Sequence, residues 1–161
     1  MMSKTVPVRV LIVDDHGMVR FGLRGYLETF PTLCVVGEAG SAEEALDVLE
    51  TISVDVVLMD LVLPGMSGAE AILRIGERYP AVRVIVMTSF LDTAHVLSAV
   101  RAGASGYLLK DILPEDLVQA IISVHNGQSV MHPRVVMLIA ANLHSTEQAE
   151  LELGKSLSDR E

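Results

Sequence analysis

Short apolar runs alternate along the chain with segments whose apolar residues recur every three or four positions. The apolar runs cover residues 8–13, 33–36, 54–59, 82–87 and 107–109. Nearly continuous apolar runs of this length are typical of strands that are buried on both faces of a sheet. The segments between them, such as residues 19–27 and 42–49, have the spacing of amphipathic helices. Strand and helix therefore alternate five times.

This alternation predicts an α/β fold, in which right-handed crossovers build a doubly wound parallel sheet with helices on both faces. Local signals mark the predicted helix ends. Ser41 precedes Glu44 by three residues, which is a capping-box pattern for a helix that begins at residue 42. Pro114 suits the first turn of the fifth helix, and Gly127 suits its end.

The pattern changes after Gly127. The following segment is predicted to be a helix that begins near Pro133, first apolar and then acidic, with no further strand. We therefore predict one α/β domain over residues 6–127 and a helical linker over residues 128–156.

The charge of the chain limits its function classes. The 161 residues include 12 basic and 21 acidic side chains, which gives a formal net charge of −9. A DNA-binding surface needs clustered Lys and Arg to displace counterions, so this chain by itself is a poor candidate for DNA binding. Half of the residues are apolar but only 4% are aromatic, so the core must consist mainly of aliphatic side chains.

The sequence also indicates a cytoplasmic location with no membrane association. No apolar run approaches the roughly 18 residues of a membrane-spanning helix, and the first ten residues lack the apolar core of a secretory signal. The single cysteine, Cys34, excludes an internal disulfide and a cysteine-rich metal cluster. We expect Cys34 to be a small buried side chain.

Polar side chains follow four of the five predicted strands, where each strand ends. They are Asp14 and Asp15 after the first strand, Asp60 after the third, Thr88 after the fourth and Lys110 after the fifth. The carboxyl ends of parallel strands lie at one edge of a sheet, which is where ligands of open α/β sheets bind. Asp60 alone could be a turn residue that binds nearby backbone N–H groups. Convergence of all five favours a functional site.

The chemistry of this set suggests a metal-assisted phosphoryl acceptor. Two carboxylates about 4 Å apart repel by roughly 4 kcal/mol at an effective dielectric constant of 20, so the cluster requires a cation. Oxygen ligands around an incomplete cage suit Mg²⁺. The Asp60 carboxylate can attack a phosphoryl group and become an aspartyl phosphate. Mg²⁺ and Lys110 would neutralise the phosphoryl oxygens, and Thr88 would donate a hydrogen bond to one of them.

Four motifs at these strand ends resemble those of the receiver domains of two-component response regulators. The motifs are VDDH, LMDLVLPGMSG, VMTS and GYLLKD, and their order and spacing match over about residues 6–127. The resemblance implies a flavodoxin-like (CheY-like) five-stranded parallel sheet with strand order 2-1-3-4-5, followed here by a C-terminal linker helix.

The same resemblance implies roles for individual residues. Asp60 would be the phosphoacceptor, and Asp14 and Asp15 would be the acidic pair that binds Mg²⁺. The Asp60 carboxylate and the backbone carbonyl of Val62 would complete the metal site. Lys110 would be the phosphate-binding lysine.

Two further positions match the switch residues of the family. Thr88 would be the switch hydroxyl, which moves toward the phosphoryl group. Tyr107 would be the aromatic switch, whose ring turns inward to fill the space that Thr88 leaves. A structural alternative for Tyr107 is a plain core position.

The end of the chain carries a second, shorter resemblance. The sequence LSDRE at residues 157–161 is similar to the start of the LuxR-type helix-turn-helix domain that follows receivers in the NarL/FixJ subfamily. The resemblance implies that residues 157–161 are the first residues of a DNA-binding domain, truncated here. DNA would then be bound only through that missing domain.

The expected function is that of a regulatory phosphoacceptor rather than a classical enzyme. A cognate sensor histidine kinase or a small phosphodonor would phosphorylate Asp60, and the change would promote a homodimer or alter a transcription-regulating output domain. One alternative is a receiver-like interaction module that never takes phosphate. A second is an aspartate-nucleophile phosphatase, but such enzymes need an acid two residues after the nucleophile, where this chain has Val62.

Several residues near the motifs depart from the common pattern. Val62 replaces a polar residue that can orient an attacking water, so we expect slow loss of the phosphoryl group. Ser67 stands where many relatives have Asp or Asn, and we expect it to cap the following helix. Phe90 is an apolar neighbour that would also restrict water. His16 follows the acidic pair, and of two alternatives, a metal contact and a solvent-facing position, we favour the second.

Overall fold

The computed structural model describes residues 6–158, in which six strands alternate with six helices. The strands are β1 (Val8–Val13), β2 (Leu33–Ala39), β3 (Val56–Asp60), β4 (Arg83–Thr88), β5 (Gly106–Leu109) and β6 (Val130–Met131). The helices are α1 (Gly17–Leu27), α2 (Ala42–Thr51), α3 (Gly68–Arg78), α4 (Thr93–Ala102), α5 (Pro114–His125) and α6 (Pro133–Ser158). All strand pairs are parallel, and the strand order is β2-β1-β3-β4-β5-β6. The predicted α/β class and strand order are confirmed.

The sheet separates two apolar cores because successive residues of a strand point to opposite faces. On β1, Leu11 and Val13 pack with α2, α3 and α4. Val10 and Ile12 pack on the other face with α1 and α5. Both faces are thus covered by helices, which explains why the strands appear in the sequence as uninterrupted apolar runs.

The structure adds a sixth strand to the five that the apolar pattern predicts. β6 has two residues, and its backbone pairs Val130 with Gly106 and Met131 with Tyr107. The backbone N–H of His132 extends this pairing to the carbonyl of Tyr107 at 2.8 Å. A strand held by three consecutive main-chain positions leaves no periodic side-chain signal, so the sequence pattern misses it.

The predicted helix caps are present. The Ser41 side chain accepts a hydrogen bond from the N–H of Glu44, and Pro114 occupies the first turn of α5. The Ser67 side chain accepts a hydrogen bond from the N–H of Glu70 at the start of α3, as expected. These caps fix where each crossover leaves the edge of the sheet.

Helix α6 lies in the segment that the sequence predicts to be a linker. Val135 in its first turn is fully buried, and Leu138 and Ile139 pack against the same core. Beyond residue 142 the described side chains of α6 are exposed, so the helix leaves the domain surface. The predicted start of a helix-turn-helix domain, at residues 157–161, lies mostly outside the described residues.

The described residues overturn one expectation from composition. Cys34 is exposed, so the expectation of a buried side chain is wrong. It lies near the amino-terminal end of the edge strand β2, where it pairs in register with the exposed Arg9. Between residues 6 and 158, no helix combines the length and apolarity needed to cross a bilayer.

Candidate functional site

Four strands bring the predicted polar residues to one edge of the sheet. Asp14 directly follows β1, Asp60 ends β3, Thr88 ends β4 and Lys110 directly follows β5. The relative exposures of Asp14, Asp60 and Thr88 are 3%, 7% and 5%, and these three are the buried polar residues of the described chain. Charged groups are rarely buried unless they are paired or bind a ligand, so this edge is a candidate site.

Lys110 joins the two buried carboxylates. Its Nζ lies 2.8 Å from Asp14 Oδ2 and 3.0 Å from Asp60 Oδ2. Burial by itself raises the pKa of Asp14, but the hydrogen bonds from Lys110 and from the backbone of His16 hold it below its usual value. Burial likewise opposes the charge of Lys110, yet the two carboxylates raise its pKa overall. Lys110 and Asp14 therefore stay charged at neutral pH.

A second group lies on the other side of Asp14. The backbone N–H of His16 donates to Asp14 Oδ1 at 2.8 Å, and its ring Nδ1 lies 3.1 Å from the same oxygen. This Nδ1 is also 3.0 Å from Asp15 Oδ1. One ligand atom from each of Asp14, Asp15, His16 and Asp60 lies within 4.8 Å of the others. Such a group can surround a single divalent cation.

The loop after β3 forms the rim of the site. The backbone N–H of Val62 donates to Asp60 Oδ1 at 3.1 Å, which fixes the orientation of the carboxylate. The loop then turns at Gly65, whose φ of +79° suits glycine. Glu43 of α2 accepts a hydrogen bond from the N–H of Met66 at 2.9 Å and ties the loop to the domain. Val62 itself is 56% exposed.

Thr88 and Tyr107 lie next to the carboxylates but do not contact them through hydrogen bonds in this structure. The Thr88 hydroxyl donates to the backbone carbonyl of Phe90 at 2.9 Å. Tyr107 is only 1% exposed and packs in the core that includes Val135 of α6. Burial, aided by the negative charges of Asp92 and Asp60, raises the pKa of Tyr107 to about 12.

Sequence reasoning misses Arg20 and Glu43, which shape this site, and it gives only part of the position of His16. The ring of His16 is 67% exposed, as expected, but it also reaches both neighbouring carboxylates. The Arg20 guanidinium donates to the backbone carbonyl of Asp14, one helical turn after His16. Glu43 holds the loop after β3. The spacing of His16 and Arg20 could have indicated a shared face of α1, whereas the contact from Glu43 depends on tertiary structure.

Comparison with known proteins agrees with this geometry. Residues 10–122 match the response regulator receiver domain family. The chain is 33% identical to the nitrate/nitrite response regulator NarL of Escherichia coli over 160 residues, which cover 99% of this chain and 74% of NarL. It is 35% identical to the response regulator VraR of Staphylococcus aureus over 154 residues, which cover 96% of this chain and 72% of VraR.

Solved structures give the same result. A LuxR-family two-component response regulator from Aurantimonas superposes with a TM-score of 0.78 at 39% identity, covering 85% of this chain and 98% of the other. The isolated receiver domain of RcsB from Salmonella enterica, solved with the phosphomimetic BeF3⁻, superposes with a TM-score of 0.74 at 29% identity, covering 83% of this chain and 99% of that domain. The chain therefore belongs to the response regulator receiver family, and its relatives place it among the regulators of the NarL/LuxR type.

Proposed function

We propose that this receiver domain accepts a phosphoryl group on Asp60 from a sensor histidine kinase or a small phosphodonor. The observation that carries the proposal is the excess of buried negative charge around one lysine. Asp14 and Asp60 share the Nζ of Lys110, and Asp15 adds a third carboxylate within reach. An uncompensated cluster of this kind costs free energy unless the site also binds a cation, which would in turn allow a phosphoryl group to be accepted there.

The proposed step transfers the phosphoryl group to a carboxylate oxygen of Asp60. An oxygen–phosphorus bond forms while the phosphorus–nitrogen bond of a kinase phosphohistidine breaks, and the histidine nitrogen leaves with the bonding electron pair and takes up a proton. The hydrogen bond from the Val62 N–H orients Asp60 for attack. Lys110, which already lies 3.0 Å from Asp60 Oδ2, stabilises the negative phosphoryl oxygens.

Receiver domains bind Mg²⁺ at an acidic pocket, and the donor set of this chain fits that ion. Asp14, Asp15 and Asp60 would hold it, and the family resemblance adds the Val62 backbone carbonyl as a further ligand. Three carboxylates are more negative charge than Lys110 alone balances, which supports binding of a divalent cation. When bound, Mg²⁺ supplies neutralisation of the phosphoryl charge.

The conformational response would begin at Thr88. Its hydroxyl would leave the Phe90 carbonyl and donate to a phosphoryl oxygen, which frees the loop after β4. The ring of Tyr107 is already inside the domain, so the inward turn that the family resemblance implies would involve only a small adjustment. Phosphorylation adds a charge of about −1.5 to −2, which is sufficient to bias such a local rearrangement.

Helix α6 would carry this response to the rest of the regulator. Phe90 and Leu91 of the loop line a cleft with Arg134 and Leu138 of α6, and α6 packs on α4. The carbonyl of Tyr107 also anchors the chain just before α6. We propose residues 6–127 as the receiver, 128–156 as a linker whose β6 and first turn of α6 pack on the receiver, and 157–161 as the start of a helix-turn-helix domain. Homodimerisation or control of that DNA-binding domain would be the output.

Incubation of the protein with Mg²⁺ and acetyl phosphate tests the proposal directly. We expect the intact mass to increase by one phosphoryl group, and amide hydrogen exchange to change at residues 88–91 and in the first turns of α6. Asp60→Asn should show neither change. Asp55→Asn, which alters a carboxylate at the opposite end of β3, is the matched control and should still be phosphorylated.

Other outcomes would favour the alternative functions. If wild-type protein forms no adduct with acetyl phosphate or beryllofluoride, the phosphoacceptor function is wrong and an interaction module is favoured. Turnover of many phosphate esters per molecule would instead indicate a phosphatase.

A further inference from the structure

The side chain of His16 does not cap the helix that follows it. His16 is the N-cap of α1, where side chains normally accept a hydrogen bond from the first turn of the helix. The imidazole makes no such bond. It turns back toward the end of β1, where Nδ1 lies 3.1 Å from Asp14 Oδ1 and 3.0 Å from Asp15 Oδ1.

These distances are those of hydrogen bonds between the imidazole and the carboxylates, and they also match the spacing of neighbouring ligands around an octahedral cation. With metal–ligand bonds of about 2.0–2.1 Å, adjacent ligands of an octahedron are about 3.0 Å apart. His16 Nδ1 has this separation from one oxygen of each of the two acidic residues. The backbone N–H of His16 also bonds Asp14 Oδ1, so the ring and the carboxylate are held in a fixed relation.

We propose that His16 contributes a nitrogen ligand to the divalent cation site, and that it thereby sets which cations the receiver prefers. The inference rests on the proposed function, because it concerns the cation used in phosphorylation. Asp15 and His16 would occupy neighbouring ligand positions on the solvent side, while Lys110 contacts the opposite oxygen of Asp14 and stays clear of the ion. The largely exposed ring can carry its hydrogen on Nε2 and direct the Nδ1 lone pair at the ion.

A nitrogen ligand changes the preference of the site among divalent cations more than it changes the overall affinity of the site for them. Mg²⁺ prefers oxygen ligands, whereas imidazole suits later transition metals such as Ni²⁺ and Co²⁺. The site is therefore expected to favour Ni²⁺ and Co²⁺ over Mg²⁺ more strongly than three carboxylates alone would. Mn²⁺ accepts both ligand types and serves as a spectroscopic probe.

The test compares wild-type protein with His16→Asn. Asparagine is a good N-cap and offers an amide oxygen, so α1 is preserved and only the nitrogen ligand is lost. By titration calorimetry we expect the affinity for Ni²⁺ and Co²⁺ to fall about tenfold, the scale of a disturbed ligand shell. The affinity for Mg²⁺ should change much less. Pulsed electron paramagnetic resonance of the Mn²⁺ complex should show a histidine ¹⁴N coupling that the variant lacks.

His95→Asn is the matched control. His95 also lies near a helix start with its Nδ1 2.7 Å from a carboxylate, that of Asp92, and it is similarly exposed. This variant should keep the wild-type cation preference and the ¹⁴N coupling.

Two results would overturn the inference. One is an absence of ¹⁴N coupling in wild-type protein. The other is an equal change of all cation affinities in His16→Asn, which would make His16 a nearby charge rather than a ligand. Beryllofluoride adduct formation with Mg²⁺ by wild type and variant separates these results from a failure of the phosphoacceptor proposal.

Discussion

The two ends of the sheet both place acidic and basic side chains together, but with different charge balance. At the amino-terminal end, Arg9 donates to Asp55 through its backbone N–H, Nε and Nη2, at 2.8, 3.1 and 3.0 Å. One cation there serves one carboxylate. At the carboxyl-terminal end, Lys110 serves both Asp14 and Asp60, and Asp15 lies beside them.

Burial separates the two ends further. The side chains of Arg9 and Asp55 are 44% and 18% exposed, so water screens this pair. The Asp14 side chain is only 4% exposed, and that of Asp60 is 8% exposed. A balanced, solvated pair has a structural role, whereas a buried excess of one charge is stable only with a further cation. Charge imbalance, rather than the presence of an ion pair, distinguishes the functional end of this sheet.

Replacing the basic side chain at each end of the sheet should lower the free energy of unfolding by unequal amounts, and this is the largest difference we expect. Lys110→Met leaves two buried carboxylates without their partner, so the free energy of unfolding should fall by about 3 kcal/mol in metal-free buffer. Mg²⁺ should recover much of this loss, because it replaces the missing charge. Arg9→Met should cost much less because water screens its ion pair, and Mg²⁺ should recover none of the loss. Urea denaturation with and without Mg²⁺ measures both effects, and equal losses at the two ends would contradict the comparison.

Alkaline pH should affect the carboxyl-terminal end through Tyr107. Its pKa in the folded protein is about 12, against an ordinary value near 10. The folded state holds the phenol proton of Tyr107 more tightly than the unfolded state does. The protonated ring therefore contributes fully to the free energy of unfolding below pH 10, and this contribution is lost as the pH rises toward 12. The loss at pH 12 amounts to about 2 kcal/mol.

The matching measurement is stability against pH for Tyr107→Phe, which should lose about 2 kcal/mol less than wild type between pH 10 and 12. Tyr79→Phe, near the amino-terminal end, is the control and should keep the tyrosinate absorbance transition near pH 12. A transition that persists in Tyr107→Phe would show that the buried ring is not its source.

Much of this fold was predictable because two sequence signals recur along the chain, namely the apolar runs and the polar residues that follow them. Each of the five apolar runs forms a strand. In a parallel sheet, the polar residues at the carboxyl ends of these strands all lie at the same edge. The positions of Asp14, Asp60, Thr88 and Lys110 follow from that rule alone. Their convergence needs only the parallel topology, which the alternation of strands and helices already implies.

The features that were not predictable depend on single contacts. β6 exists because three backbone positions pair with β5, and main-chain pairing has no residue-type signature. The direction of the His16 ring is a rotamer choice at a helix start, which spacing does not determine. Cys34 lies in an apolar run yet is exposed, because β2 is an edge strand and Cys34 lies near its amino-terminal end.

The smallest expected effect concerns the lifetime of the phosphoryl group on Asp60, at the carboxyl-terminal end of the sheet. Val62 is exposed, lies two residues after Asp60 and presents only methyl groups to an approaching water. Val62→Asn supplies an amide that can orient this water, so the phosphoryl group should be lost faster. We expect a few-fold to about tenfold increase, below the roughly 10²–10⁴-fold that a proton-transferring group provides.

The control for Val62→Asn is Val136→Asn on α6, a valine of similar exposure, 53% against 56%, that is away from the carboxylates. The decay of phosphorylated protein, followed by intact mass after removal of the donor, should be unchanged in this control. An unchanged rate in Val62→Asn as well would mean that Lys110 and the burial of Asp60, rather than the side chain at position 62, limit the approach of water. The lifetime of the phosphoryl group would then be set by the same charge cluster that distinguishes this end of the sheet from the other.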